Sequence, residues 1–455
     1  MGSGLGPVRA LGATTLVVGL LAACGTPREP AVEPEPGDEP MPAEADPADD
    51  AAEPGVELAA DVARAEPGDA QVADLVAGMT SFGERLMDEA AEPESNAVVS
   101  PVSIAMAFAM ARAGAEGATA AEIDEVFGFD DDQQVTHASF NALGRVLDDA
   151  APGDLDDVDP DAARNADGRG DPPVLAIANG VLPQHDLVIH DAYLQTLGEH
   201  YGAGVMPVDF SAPDEAKALV DGWVGQHTGG RIDELFAEID PRTVLILANA
   251  IYLKADWQYP FTDHPVRDRG FTTATGDEVR VPTMDQLLER VRYAEDDAWQ
   301  AVELPYEGDG LAMWVIVPTD GHSPADVRTA DTLTAVGDGL SEGVVKLHLP
   351  QWDSDTDVEL IPALEALGMH APFTGADFSG ITDTDMWIGG ALHRATITVD
   401  EQGTEAAAVT GLAMEESAPP GPDVTIRADR PFVFAIVDTT HHAPVFLGQV
   451  ADPSV

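Results

Sequence analysis

Apolar residues first recur at helical spacing near position 70. Val72, Leu75, Val76, Met79, Phe82 and Leu86 fall on one face of a helix. After the turn at Ser100-Pro101, the run IAMAFAMARAGA is apolar nearly all round, as in a helix buried on every side. AAEIDEVFGF follows as an amphipathic helix stopped by Gly128, and a further helix lies around His137 to Leu147. The second half changes period. VLAIANGVL, TVLILANAIYL, AVELPY, LAMWVIVP, VVKLHLP, ATITVD, VTIR, FVFAIVD and VFLGQV read as strands, with helices again at 214–227 and 357–368. Helices gathered first and strands later predict an α+β domain with large, mostly antiparallel or mixed sheets.

Three stretches break the pattern. Residues 24–68 are rich in Pro, Glu, Asp and Ala with no aromatic residue, which predicts a disordered acidic tether before a domain at 69–455. Residues 148–173 repeat that composition and read as an acidic loop insertion, because strand pattern resumes at VLAIANGVL. The third, EQGTEAAAVTGLAMEESAPPGP at 401–422, lies between ATITVD and VTIR. Its Glu, Gln and Ala favour helix, while Gly403, Thr404, Val409 and Gly411 oppose it.

Charge removes several classes of function. With 82 acidic and 22 basic residues, the net charge of −60 repels nucleic acid and anionic membranes and leaves no heparin-binding patch. The N-terminus carries Arg9, an apolar run from Ala10 to Ala23, then Cys24, the sole cysteine. Residues 1–23 read as an export signal too short for a stable membrane span. The ending Leu21-Ala22-Ala23-Cys24-Gly25 resembles a bacterial lipobox, which implies lipidation of Cys24 and a cell-envelope lipoprotein or extracellular protein. The membrane would then be reached only through that anchor.

No enzyme motif is present: there is no GxSxG, HExxH, Walker loop, GxGxxG after a strand, or CxxC. No cofactor or metal site is expected. His441-His442 reads as a solvated turn, and the Arg169–Asp171 tripeptide RGD as a product of composition.

Five separated segments carry a specific resemblance. NAVVSPVSIAMAFAMARAGAEGATAAEI (96–123), TVLILANAIYLKADWQYPF (243–261), VKLHLPQW (345–352), ALHRATITVDEQGTEAAAVT (391–410) and PFVFAIVDTTHHAPVFLGQV (431–450) resemble the serpins, in the family's order. The resemblance implies a serpin fold: eight to nine helices around three β-sheets, with an exposed reactive centre loop at 401–422. It also implies a monomeric inhibitor rather than an enzyme. A target serine (or cysteine) protease cleaves the loop and is trapped as a covalent complex when the loop inserts into a metastable central sheet. The alternative is a non-inhibitory serpin with a binding, chaperone or storage role. The resemblance places Ser100, Ser103, Asn249 and His393 where the central strands part, and Trp257 at the top of the sheet. The hinge falls on Glu401, Gly403, Thr404, Glu405, Ala406, Ala407 and Ala408.

The residues support insertion independently. Taken at period two, Thr404, Ala406, Ala408, Thr410, Leu412 and Met414 form one uncharged phase. Glu405 and Glu415 lie on the other, so the inward face buries no carboxylate. Counting forward from Glu401 at the family's spacing gives Ser417, hence the bond Ser417–Ala418. Met414–Glu415 and Glu416–Ser417 are alternatives, because the loop is longer than the family's usual one. A small residue at the bond predicts a subtilisin- or elastase-like target.

Overall fold

The computed structural model describes residues 52–68, 70–155, 170–232, 234–262, 264–404 and 421–455. The helical half follows its apolar pattern. α1 (Val72–Ala90) buries Leu75, Val76, Met79, Phe82, Leu86 and Met87. β1 (Ala97–Val99) leads into α2 (Pro101–Arg112), on which only Met106 is not buried. Ser100 caps α2: its hydroxyl oxygen accepts the Ser103 N–H at 3.1 Å, and Pro101 fills a first-turn position that needs no N–H donor. α3 (Gly117–Phe127) stops at Gly128, whose φ of 67° admits the left-handed turn, and α4 (Gln133–Ala150) starts on the Asp132 cap. Phe82, Phe108, Phe127, Phe129 and Phe140 join these helices, with successive ring centroids 4.4 to 5.6 Å apart.

β2 (Val174–Pro183), α5 (Asp191–Tyr201) and α6 (Pro213–His227) come next, followed by β3 (Leu245–Asp256), buried at every position. β4 (Arg267–Thr272), β5 (Glu278–Glu295), β6 (Trp299–Pro305) and β7 (Leu311–Pro318) form an antiparallel series. Two short helices, α7 (Pro324–Val327) and α8 (Ala330–Gly339), precede β8 (Ser341–Pro350) and β9 (Trp352–Glu359). α9 (Leu360–Ala366) and β10 (Gly390–Val399) lead to a two-residue strand, β11 (Gly403–Thr404). β12 (Val424–Arg427), β13 (Phe432–Asp438) and β14 (Pro444–Val450) complete the chain.

Hydrogen bonding joins the strands into two networks where three sheets were expected. One is the five-stranded sheet β2-β3-β11-β10-β9. The other has nine strands, because β5 is long enough to serve two sheets. Its first part pairs with β4 and β8, its last residues pair with β6, and the register shifts between Leu288 and Val291. α2 lies against β2 and β3, so the buried cap at Ser100 sits under the five-stranded sheet.

Part of the expected tether is docked. Leu58 and Val205 exchange backbone hydrogen bonds at 2.8 and 2.9 Å, and the Ala65 N–H donates to the Glu199 carbonyl. Arg64 Nε donates to Asn141 Oδ1 at 2.8 Å and its Nη1 pairs with Asp148 at 2.9 Å. Composition missed this because main-chain pairing and two arginines, Arg64 and Arg145, not apolar periodicity, hold the segment. Residues 1–51 and 156–169, including Cys24 and most of the insertion, lie outside the described residues.

Phe127 is at the centre of the aromatic chain and fully buried. Phe127→Ala is expected to lower stability by about 3–5 kcal/mol in urea unfolding of the full chain.

Candidate functional site

At the end of β10 the chain reverses in four residues. Asp400 Oδ1 accepts the Gln402 N–H at 2.7 Å and the Gly403 N–H at 3.2 Å, and the Asp400 N–H donates to the Gly403 carbonyl at 3.1 Å. This Asx-type turn sends Gly403–Thr404 back between two strands. Gly403 pairs with Asp256 and Thr404 with Ala255 of β3, while Thr404 also pairs with Val399 of β10, all antiparallel. Glycine is required: a Cβ on Gly403 would lie 2.2 Å from the Ala255 oxygen and 2.7 Å from Asp256 Cα.

Trp257 clamps the turn from above. Its backbone N–H donates to the Gln402 carbonyl at 2.7 Å and its indole N–H to the Asp400 carbonyl at 3.0 Å. The indole stacks on Tyr306 with centroids 4.6 Å apart. The Tyr306 hydroxyl in turn lies 2.7 Å from Thr404 Oγ1, in full burial. The Phe261 N–H donates to the Glu401 carbonyl, and the Gln351 amide donates to the Glu401 carboxylate. Thr404 is thus already in the core, on the phase read as inward.

Below this wedge β3 and β10 meet directly as a parallel pair, Ile246–Ile251 against Gly390–Ala395. A polar row crosses the sheet there: Asn179 on β2 is opposite Asn249 on β3, which is opposite His393 on β10. His393 Nε2 accepts the Ser100 N–H at 3.0 Å, so the proton sits on Nδ1 and is donated to Asn249 Oδ1. Asn249 Nδ2 donates to Ser103 Oγ at 2.6 Å and to Asn179 Oδ1. Ser100, Ser103, Asn249 and His393 are all buried. Burial holds the imidazole neutral, with its pKa lowered to about 3.

A family profile described as "Serpin (serine protease inhibitor)" matches residues 77–453. The chain belongs to the serpin family. It is 30% identical to Serpin A3-1 of Bos taurus, across 84% of this chain and 89% of that protein. An uncharacterized serpin-like protein of Thermococcus kodakarensis is 32% identical, across 83% of this chain and 86% of its own. Among solved structures, native tengpin, a thermophilic serpin, superposes with a TM-score of 0.72 at 24% identity, covering 89% and 98% of the two chains. Thyroxine-binding globulin in complex with thyroxine gives 0.70 at 26%, covering 84% and 99%.

In this serpin the geometry joins Glu401, Gly403, Thr404 and Trp257 into one turn, and Ser100, Ser103, Asn249 and His393 into one row. Glu405, Ala406, Ala407, Ala408, Met414, Glu415, Glu416, Ser417 and Ala418 lie outside the described residues. Sequence reading missed Asp400, Tyr306 and Asn179. Asp400 had a signal, since Asp followed at short range by Gly is a turn cue, whereas Tyr306 and Asn179 sit inside ordinary strand patterns. Gly170 and Asp171 donate their N–H groups to Glu307 and Asp256, which ties that stretch to the end of β3. His442 has a φ of 60° and its ring packs on Trp314, centroids 5.1 Å apart, so the His441-His442 turn is partly anchored.

Asp400 supplies a pH dependence. Burial, with Glu401 and Asp256 close by, raises its pKa to about 6 against the two N–H donors. A folded pKa above the unfolded one means the folded turn binds the extra proton. Its contribution is therefore full below about pH 4 and is lost as pH rises through about 6. Trp257 fluorescence is expected to change with a midpoint near pH 6, and Asp400→Asn to abolish the change, with Trp257→Phe as the control. The sign for His393 is opposite. Its contribution is present above about pH 6.5 and is lost as pH falls toward about 3. Gly403→Ala is expected to expel β11, seen as faster hydrogen exchange at the Trp257 and Thr404 amides.

Proposed function

We propose that this serpin is a single-use inhibitor of a subtilisin- or elastase-like serine protease. The protease serine oxygen attacks the carbonyl carbon of Ser417, the bond to the Ala418 nitrogen breaks, and the freed amine stays with the C-terminal strands. The ester left on the protease is carried away as the loop enters the five-stranded sheet.

One observation carries this reading: the register already set by Gly403–Thr404. Continued residue by residue, it brings Thr410 opposite Asn249 on β3 and, on its other side, opposite His393 on β10. Asn249 and His393 are now bonded directly to each other. The incoming threonine hydroxyl, both donor and acceptor, suits the place between them. Insertion exchanges one parallel ladder for two antiparallel ones, which are slightly more stable per residue. Along the same register Met414 reaches Leu245, where β3 begins. A bond at or beyond Met414 therefore frees enough chain to fill the whole cleft.

The signal-like residues 1–23 and Cys24 support export and a lipid anchor.

Incubation with subtilisin or elastase is expected to give a complex that survives SDS, with the released peptide starting at Ala418 by mass spectrometry. Thr410→Arg, which would bury a charge at the polar row, is expected to turn the inhibitor into a substrate. Loop cleavage with no complex and no gain in thermal stability would instead favour the non-inhibitory reading.

A further inference from the structure

In a chain where carboxylates outnumber cations so heavily, a place where the ratio inverts is informative. One lies where β4, β5, β8 and β12 run side by side. Register puts Asp285 of β5, His348 of β8 and Arg427 of β12 in one cross-strand row. Lys346, two residues before His348, shares their face, and Arg269 reaches in from β4. Arg269 and Lys346 both pair with Asp285, and His348 Nδ1 stands 3.3 Å from the same carboxylate. The charged groups that act on His348 are Asp285, Arg427, Arg269 and Lys346, so three permanent cations share one carboxylate. Burial, then Arg427, Arg269 and Lys346, hold the imidazole pKa below its ordinary value against the pull of Asp285.

The place is recessed: the side chains of Asp285, Lys346 and His348 are 14%, 24% and 10% exposed. It also holds an unused donor. Arg269 Nε is buried with no hydrogen-bond partner, whereas His348 Nδ1 faces the Asp285 carboxylate. Arg427, exposed at the sheet edge, has no ion-pair partner among the described residues.

We propose that this recess binds a free oxyanion of the phosphate or sulfate class, and that the bound anion holds β12 on the sheet. β12 has four residues, begins shortly after residue 420, and among the described residues pairs only with β8. Cations gathered partly out of water repel one another, and that repulsion acts on Arg427 and hence on β12. An oxyanion accepting from Arg269, Lys346 and Arg427 removes the repulsion and gives the buried Arg269 Nε its partner. The charge of −60 does not forbid it, because at physiological salt distant carboxylates are screened beyond about 8 Å. The site is independent of protease inhibition, so a failed complex assay leaves it standing.

Calorimetric titration of the full chain with sodium phosphate, at ionic strength fixed with sodium chloride, is expected to show one saturable site. Arg427→Gln is expected to weaken it about tenfold, and Asp285→Asn to tighten it by removing the competing carboxylate. Hydrogen exchange in β12 is expected to slow in saturating phosphate in the wild type only. No saturable heat, or equal affinity in wild type and Arg427→Gln, would overturn the proposal. If Asp285→Asn does not fold, Lys346→Gln takes its place, with weakening expected.

Discussion

β3 and β10 hold each other through a short parallel ladder, and every other feature of the site is arranged around that contact. Above it the strands are already parted by Gly403–Thr404; at its lower end both strands begin. A parallel ladder with the same strands available for two antiparallel ones is a contact that can be exchanged. In the proposed insertion, side-chain bonding across the pair is what would hold exchange back. His393 and Asn249 are joined to each other, and through Ser100 and Ser103 to the start of α2. Ser100, Ser103, Asn249 and His393 are buried and bonded to one another, so opening the pair exposes several polar groups at once.

The turn at Asp400–Gly403 sets the other boundary. Trp257, Tyr306 and Thr404 fix how far the hinge has entered, and Gly403 fits because nothing larger can approach the β3 backbone. The turn is also where acidic groups meet. Asp400, Glu401 and Asp256 lie together at the mouth of the cleft, so proton binding there favours the seated hinge, while protonation of His393 disfavours the closed row. The two titrations pull in opposite directions with pH. Membership of the serpin family and the family's role in protease inhibition rest on the matched profile and relatives.

Much of this was legible from residues alone. The α1 face, the all-round apolar α2, the stop at Gly128 and the buried run of β3 follow from periodicity and capping, which are local properties. The inward place of Thr404 was visible too, because it opens an uncharged alternate phase in the sequence. The docking of residues 52–68 was not visible, since it depends on backbone pairing with Val205 and on Arg64 reaching Asn141.

Sequence by itself determined the element types, the α+β class, the charge and the inward place of Thr404. Each of these depends on composition or on neighbours a few residues away. Tertiary structure decided which groups meet across the sheet: Asn179, Asn249 and His393 in one row, Tyr306 against Thr404, and Asp285 among Arg269, Lys346 and His348. Those meetings join residues tens to hundreds of positions apart. They are set by strand register, which no local pattern encodes, because a shift of one residue would send every one of these side chains to the opposite face.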